Sequence, residues 1–160
     1  MIPNSKAFNG KTSFEYEGKT YYRWHKISER GSFTLRFKIV EINSKNKQAI
    51  ALFFSDFKGT LALNGKKLPV LLNKFQHYLF KQDDLLNNEF VLSVCAEHGS
   101  LVLGNASERA ETPVYTCGAF GNAFWIESIA QNHFRFHCND HEYDDDFNDF
   151  IFDMIIHSNL

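Results

Sequence analysis

The chain has 160 residues and a net charge of −2; 44% of its residues are hydrophobic and 16% aromatic, and the aromatic share comes mostly from 17 Phe. This length predicts one domain over residues 1–160 with a sizeable core. The charge gives no basic field and excludes nucleic acid as the expected partner. No run approaches the ~18 apolar residues of a membrane helix, so no membrane span is expected. The start of the chain lacks an apolar segment behind basic residues, which favours the cytoplasm, although a secreted protein with its leader removed would look the same.

The first third of the chain is predicted to form short strands separated by turns. Segments 12–17 and 19–25 flank Gly18, which indicates a hairpin. Segment 32–39 alternates strictly between polar and apolar residues, as a strand with one buried face does. Segment 49–54 is almost continuously apolar, which indicates a strand that is covered on both faces.

Turn residues continue the same pattern through the rest of the chain. Asn64-Gly65 between two apolar runs is a strong hairpin signal, and Pro69 would place the second of those strands at a sheet edge. His98-Gly99 is expected to be another tight turn, and residues 105–113 a loop. A single helical turn is expected over 82–88. Further strands are predicted over 75–80, 90–94, 100–103, 123–128, 132–138 and 150–156.

About ten strands with almost no helical periodicity point to one architecture. We predict an all-β protein, an antiparallel β-sandwich of the jelly-roll or Greek-key type. Loops cluster at the ends of a sandwich, so binding sites are expected there.

The most unusual stretch is the acidic loop, residues 139–149, in which six of eleven side chains are Asp or Glu. Asp144, Asp146 and Asn148 stand at i, i+2 and i+4, and Asp149 follows directly. Hard cations such as Ca²⁺ bind six to eight oxygens, and this spacing supplies several at once. An EF-hand is excluded, because Asp149 stands where that loop requires Gly and the flanking segments are strand-like.

The Asp-Phe-Asn-Asp run that leads into a closing apolar strand resembles the calcium loop of bacterial calcium-dependent fucose-binding lectins and related calcium-binding β-sandwich modules. The resemblance implies that Asp144, Asp146, Asn148 and Asp149 hold calcium, which in turn ligates sugar hydroxyls. The family's further acidic position falls at His141, with Asp140 and Glu142 as substitutes. The chain ends in Leu160 rather than in the family's Gly.

The resulting functional prediction is a calcium-dependent, non-enzymatic binding module, with carbohydrate as the expected ligand. Its metal ligands would be Asp144, Asp146, Asn148 and Asp149 together with Asp140. No catalytic residue is assigned. The aromatic residues expected to stack on a ligand are Trp125, Tyr143 and Tyr115.

Several alternatives stay open. The chain could instead bind a protein partner or self-associate into a homo-oligomer, with a structural acidic loop, or it could be a glycan-acting enzyme. A zinc site would use His133, His137, Cys138 and His141, although two strand residues four apart are about 13 Å apart. A Cys117–Cys138 disulfide is conceivable in an exported protein. The remaining histidines, His25 among them, are predicted to be surface or turn residues.

Overall fold

The computed structural model describes residues 11–73, 76–111, 114–117, 122–142 and 146–158. Within these ranges the backbone forms twelve strands and two 3₁₀ turns, Gln82–Asp84 and Leu86–Asn88. The strands are β1 Ser13–Tyr16, β2 Lys19–Tyr22, β3 His25–Ile27, β4 Gly31–Ile42, β5 Gln48–Leu63, β6 Lys66–Leu68, β7 Tyr78–Lys81, β8 Glu89–Glu108, β9 Tyr115–Cys117, β10 Ala123–Ala130, β11 His133–Asn139 and β12 Phe150–Ser158. The all-β prediction is confirmed. No helix in the described ranges is long and apolar enough to span a membrane.

Two long strands, β5 and β8, hold the two layers of the sandwich together. They pair antiparallel from Gln48 opposite Ser107 to Leu63 opposite Leu92. The main path of the sheet runs β1-β2-β10-β11-β12-β4-β8-β5-β6. Strands β3 and β9 pair instead with the second half of β8, and β7 pairs with the first half of β5. Each long strand therefore contributes to both layers of an open, antiparallel sandwich. The first layer contains β1, β2, β10, β11, β12, β4 and β6 with the first half of β8 and the second half of β5; the second layer contains β3, β7 and β9 with the other halves of β5 and β8.

The bend between the layers depends on glycine. The β5–β8 register shifts near Ser55 and Gly59, opposite residues 96–100. Gly99 has a φ of +72°, and a Cβ there would overlap the carbonyl of Asp56; a Cβ on Gly59 would overlap the carbonyl of Cys95. Only Gly permits this approach of two backbones. The predicted tight turn at His98-Gly99 is wrong, because these residues bend one continuous strand.

The core lies between the layers and follows the predicted alternation. On β4, Phe33, Leu35 and Phe37 are buried, while Arg36 and Lys38 point to solvent. Burying each such apolar side chain contributes roughly 1.5–3 kcal/mol relative to leaving it exposed. The strand predicted to be covered on both faces over 49–54 is confirmed for residues 49–52, which are fully buried, whereas Phe53 and Phe54 are half-buried.

Most turns and sheet edges lie where the sequence predicts them. The Asn64-Gly65 hairpin joins β5 to β6, and β6 ends the main path of the sheet, as Pro69 predicts. The Gly18 hairpin joins β1 to β2. Residues 105–108 are not the predicted loop but the buried end of β8. The acidic loop connects β11 to β12, which are antiparallel neighbours.

Candidate functional site

The acidic loop is anchored to the sandwich by Phe147. This residue has a φ of +51°, is buried, and packs against Tyr21 of β2 with ring centroids 4.9 Å apart. Its backbone N–H donates to Oδ1 of Asn139 at 2.9 Å. Ala123 completes this small aromatic cluster, and Trp125 packs at its edge. The loop is therefore a packed part of the fold. The predicted ligands Tyr143 and Asp144 lie outside the described residues.

Asp140 points into the protein, and its relative exposure is 2%. Its Oδ2 accepts hydrogen bonds from the Ser44 hydroxyl at 2.5 Å and the Asn46 amide at 3.0 Å. Its Oδ1 accepts from the backbone N–H of Glu142 at 2.8 Å. These donors are all neutral, so a buried carboxylate is held without a cationic side chain among these contacts.

The other predicted ligands are divided between the interior and the surface. Asp149 is buried, and its Oδ2 accepts from the backbone N–H of Asp140 at 3.0 Å. Asp146 is exposed and accepts from the backbone N–H of Asn148 at 3.3 Å. The Asn148 carbonyl accepts from the Asn43 amide at 2.9 Å. Within the described ranges, no three His, Cys, Asp or Glu side chains are grouped so as to hold a metal ion.

Beneath the acidic loop lies a polar interior that the sequence did not predict, formed by Asn46, Gln48, Asn105, Asn139 and Asp140, all buried. The side-chain amide of Gln48 donates to the carbonyl of Asn46 at 2.9 Å, and that of Asn105 donates to the carbonyl of Asn139 at 2.6 Å. The structure describes no hydrogen-bond partner, within its ranges, for Oε1 of Gln48 or Oδ1 of Asn105. Two buried amide oxygens thus lack a donor, which is costly unless something else binds them.

The polar interior is bordered by a second set of hydrogen bonds. The Ser107 hydroxyl contacts Nδ1 of His141 at 2.7 Å and accepts from the His141 backbone N–H at 3.0 Å. Asn122 donates to the same hydroxyl at 3.2 Å. Because Ser107 is fully buried, this Ser–His pair secures the loop to β8 and does not present a nucleophile to solvent. Because the sequence predicts a loop over residues 105–113, it gives no indication that Ser107 is buried.

The predicted stacking residue Trp125 already has partners on its ring. The imidazole of His137 on β11 lies parallel to the indole, 4.1 Å between centroids and 5° between planes. On the side of β2, the Lys19 ammonium lies 4.1 Å from the indole centroid. His137 in turn contacts Glu127 at 2.9 Å. A ligand would stack on Trp125 only after displacing one of these neighbours.

The candidate zinc ligands are distributed over different surroundings. His133 contacts the Asp153 carboxylate at 2.9 Å, and Arg135 donates twice to the same carboxylate at 2.7 and 3.1 Å. Burial alone would raise the pKa of Asp153, but the hydrogen bonds from Arg135 and His133 outweigh it and lower that pKa. Cys138 is a free thiol buried in the core, and burial raises its pKa. The suggested bridge to Cys117 is therefore not formed.

Tyr115 packs beside Ala106 of β8, in a cluster separate from the one that contains Phe147 and Trp125. Burial, followed by the carboxylates of Glu108 and Asp83, raises its pKa to about 12. The Lys81 ammonium lies 5.1 Å from its ring centroid. The structure thus does not bring Tyr115 and Trp125 into one described site.

A cavity of about 360 Å³ lies between the inner face of β10–β12 and strand β3. Its apolar wall consists of Ile27, Ile126, Phe134, Met154 and Ile156. We call this space the interlayer cavity. It falls within the range of roughly 300–1,000 Å³ that is usual for small-molecule sites.

His25 is the polar centre of the interlayer cavity. Its half-buried ring makes edge contacts with Tyr22 at 5.7 Å and Phe136 at 6.0 Å between centroids. Burial lowers the pKa of His25, so its imidazole is neutral at pH 7. The prediction of a surface histidine is wrong here, because β3 pairs with β8 and turns His25 towards the core.

Comparison with known proteins provides no relative from which to transfer a function. No protein family model matches the chain, and neither a curated protein nor a solved structure matches it. The resemblance to calcium-dependent lectins stays a prediction from the loop motif, and function has to be argued from the geometry of the sites.

Proposed function

We propose that the chain is a non-enzymatic binding module that takes a small, largely apolar molecule into the interlayer cavity. The observation that carries this proposal is an apolar wall contributed by three neighbouring strands, with the neutral imidazole of His25 facing it. Pockets that combine apolar walls with a few polar groups are the usual form of small-molecule sites.

The polar groups of the interlayer cavity define the kind of ligand. A neutral imidazole donates one hydrogen bond and accepts another. Ser28, Glu29, Ser128 and Asn132 add further polar groups to the lining. A ligand with an apolar body and one or two hydrogen-bonding groups fits this arrangement. The volume, at the low end of the usual range, favours a compact ring or short chain over an oligosaccharide.

Binding is favoured over glycan hydrolysis by the composition of the lining. Glycosidases generally place two carboxyl groups on either side of the scissile bond. Among the described residues that line the interlayer cavity, Glu29 is the one carboxylate. Its carboxylate accepts a solvent-exposed hydrogen bond from the Ser158 hydroxyl at 3.3 Å.

Methyl NMR tests this proposal, because Met154 lies in the cavity wall and the chain has only two methionines. With ¹³C-methyl methionine, the Met154 signal should shift when indole, phenol or cyclohexanol is added at millimolar concentration. Ile126→Trp, which fills the cavity, should abolish the shift. Ile155→Trp, on the other face of the same sheet, should preserve it. If the chemical shift of the Met154 methyl group changes with none of these probes, the proposal is overturned.

The second candidate is the calcium-dependent carbohydrate-binding module predicted from the loop motif. The supporting observation is that Phe147 packs beside Trp125, so that the acidic loop adjoins an aromatic and cationic surface with Lys19. A glycan array read with calcium and with chelator tests it. Sugar binding that survives chelation, or no binding in either condition, would exclude this candidate. Association with a protein partner stays a prediction.

A further inference from the structure

We propose that the polar interior beneath the acidic loop binds one calcium ion, with Asp140, Gln48 and Asn105 as ligands. This site is distinct from the interlayer cavity and does not depend on its function. It also differs from the surface ligand set predicted from the loop motif, with which it shares Asp140. The three proposed ligands come from three separate parts of the chain: the start of β5, the end of β8 and the residue after β11.

The two amide oxygens are the main evidence. Gln48 and Asn105 are 0% and 1% exposed, so water at the protein surface does not reach them. The hydrogen bonds determine which end of each amide is the oxygen, because the NH₂ group donates to a backbone carbonyl, which can only accept. Rotating either amide by 180° would place oxygen against oxygen. Each side-chain oxygen therefore points away from that carbonyl and requires a donor or a cation.

The strand register and the hydrogen bonds link both amides to the surroundings of Asp140. Gln48 lies opposite Ser107 and Asn105 opposite Ile50, so the two amides are diagonal neighbours on one face of the β5–β8 pair. The carbonyl that Gln48 contacts belongs to Asn46, whose own side chain donates to Asp140 at 3.0 Å. The carbonyl that Asn105 contacts belongs to Asn139, the residue before Asp140. Each amide is thus linked to the residue that carries the buried carboxylate through one intervening residue.

Charge favours a cation over a neutral ligand. The carboxylate of Asp140 is buried and is contacted by a hydroxyl, an amide and a backbone N–H, all neutral. A buried charge without an opposite charge is expensive. A cation bound by Asp140 and the two amide oxygens would satisfy all three groups together.

The donor set selects calcium among the common metals. Carboxylate and amide oxygens are the ligands of hard cations, and calcium accepts six to eight of them in irregular geometry. Zinc is disfavoured because the three proposed ligands are all oxygens, whereas structural zinc sites are built mainly from Cys and His side chains. The buried carboxylate of Asp149, one hydrogen bond from Asp140, adds negative charge next to the site.

Calorimetric titration of the chelator-treated full chain with CaCl₂ is the direct test. One ion per chain should bind, and calcium at about 100 times the dissociation constant should raise the melting temperature by roughly 5–10 °C. Absence of both heat and a melting shift at 10 mM CaCl₂ would overturn the proposal and leave buried water as the partner of the amides.

Charge variants locate the ion. Gln48→Glu and Asn105→Asp each convert an amide oxygen into a carboxylate, so each should melt lower than wild type in chelator and bind calcium at least tenfold more tightly. Gln76→Glu adds the same charge at an exposed position and should change neither property. A calcium response that Asp146→Asn abolishes and the two charge variants leave unchanged would place the ion on the loop surface and refute the internal site. If one charge variant does not fold in chelator, the other provides the comparison.

Discussion

At the scale of single residues, Asp153 illustrates how one side chain connects two strands. It lies on β12, is mostly buried, and holds Arg135 and His133 of β11. Paired hydrogen bonds between a guanidinium and a carboxylate are among the stronger contacts in proteins. The pKa of Asp153 is lowered because these contacts stabilise its charged form more than burial destabilises it.

Asp153→Asn should destabilise the fold by about 1.5–3 kcal/mol at neutral pH, because it leaves Arg135 without its carboxylate. A group with a lowered folded-state pKa stabilises the protein above its unfolded pKa, about 3.9 for Asp, and that stabilisation is lost as the pH falls through the folded value. Urea unfolding should therefore show a difference in the free energy of unfolding between wild type and variant at pH 7, and this difference should be smaller at about pH 3. Glu97→Gln, which removes an exposed carboxylate, should show almost no difference. A difference that does not change with pH would contradict this account.

The predicted metal ligands show what could not be inferred at this scale. The spacing of the loop residues identifies Asp149 and the lectin resemblance adds Asp140, but neither indicates that both point inward while Asp146 points outward. Side-chain direction follows from residue spacing only where the backbone is regular. In this loop the positive φ of Phe147 changes the direction of the chain, and no pattern of residue types predicts it.

At the scale of elements, the bend in β8 is the clearest test of how the sandwich is built. Gly99→Ala should cost at least about 2 kcal/mol, because it combines a positive φ with a Cβ that overlaps the Asp56 carbonyl. Gly65→Ala is the matched control: its φ is +85°, but a Cβ there meets nothing within 4 Å. Gly65→Ala should lower the free energy of unfolding by only about 1 kcal/mol, which is the cost of a positive φ in a residue that carries a Cβ. Chemical denaturation of both variants measures the difference, and equal losses would show that the close approach of backbones at the bend does not matter.

Element prediction failed where one strand serves both layers. The sequence predicts two strands, 90–94 and 100–103, separated at His98-Gly99, because Gly next to apolar segments normally indicates a turn. Gly serves equally well where two backbones approach closely, and local sequence does not distinguish the two uses. Hairpins with two-residue turns, such as Asn64-Gly65, were predictable because all the determinants are local.

At the scale of the whole molecule, fold class was predictable and the assignment of strands to layers was not. Alternation on β4 and continuous burial on β5 determine which side chains enter the core. Which strand lies beside which depends on contacts between distant segments, such as β4 with β12 and β8. The interlayer cavity arises from that arrangement, which explains why His25 and Met154 gave no functional signal in the sequence.

The sharing of β5 and β8 by both layers predicts that the sandwich unfolds as one unit. The two tryptophans provide a probe for each layer, since Trp24 packs against Phe53 of β5, 4.5 Å between centroids, and Trp125 lies on β10. Trp24→Phe and Trp125→Phe each leave one reporter, and the fluorescence transitions in urea should have the same midpoint as the loss of β-sheet circular dichroism of the same variant. Thiol labelling of Cys138, which is buried in the core, should follow the same curve on a Cys95→Ser, Cys117→Ser background. A tryptophan transition whose midpoint differs from that of the circular dichroism of the same variant would mean that the layers unfold independently despite the strands that they share.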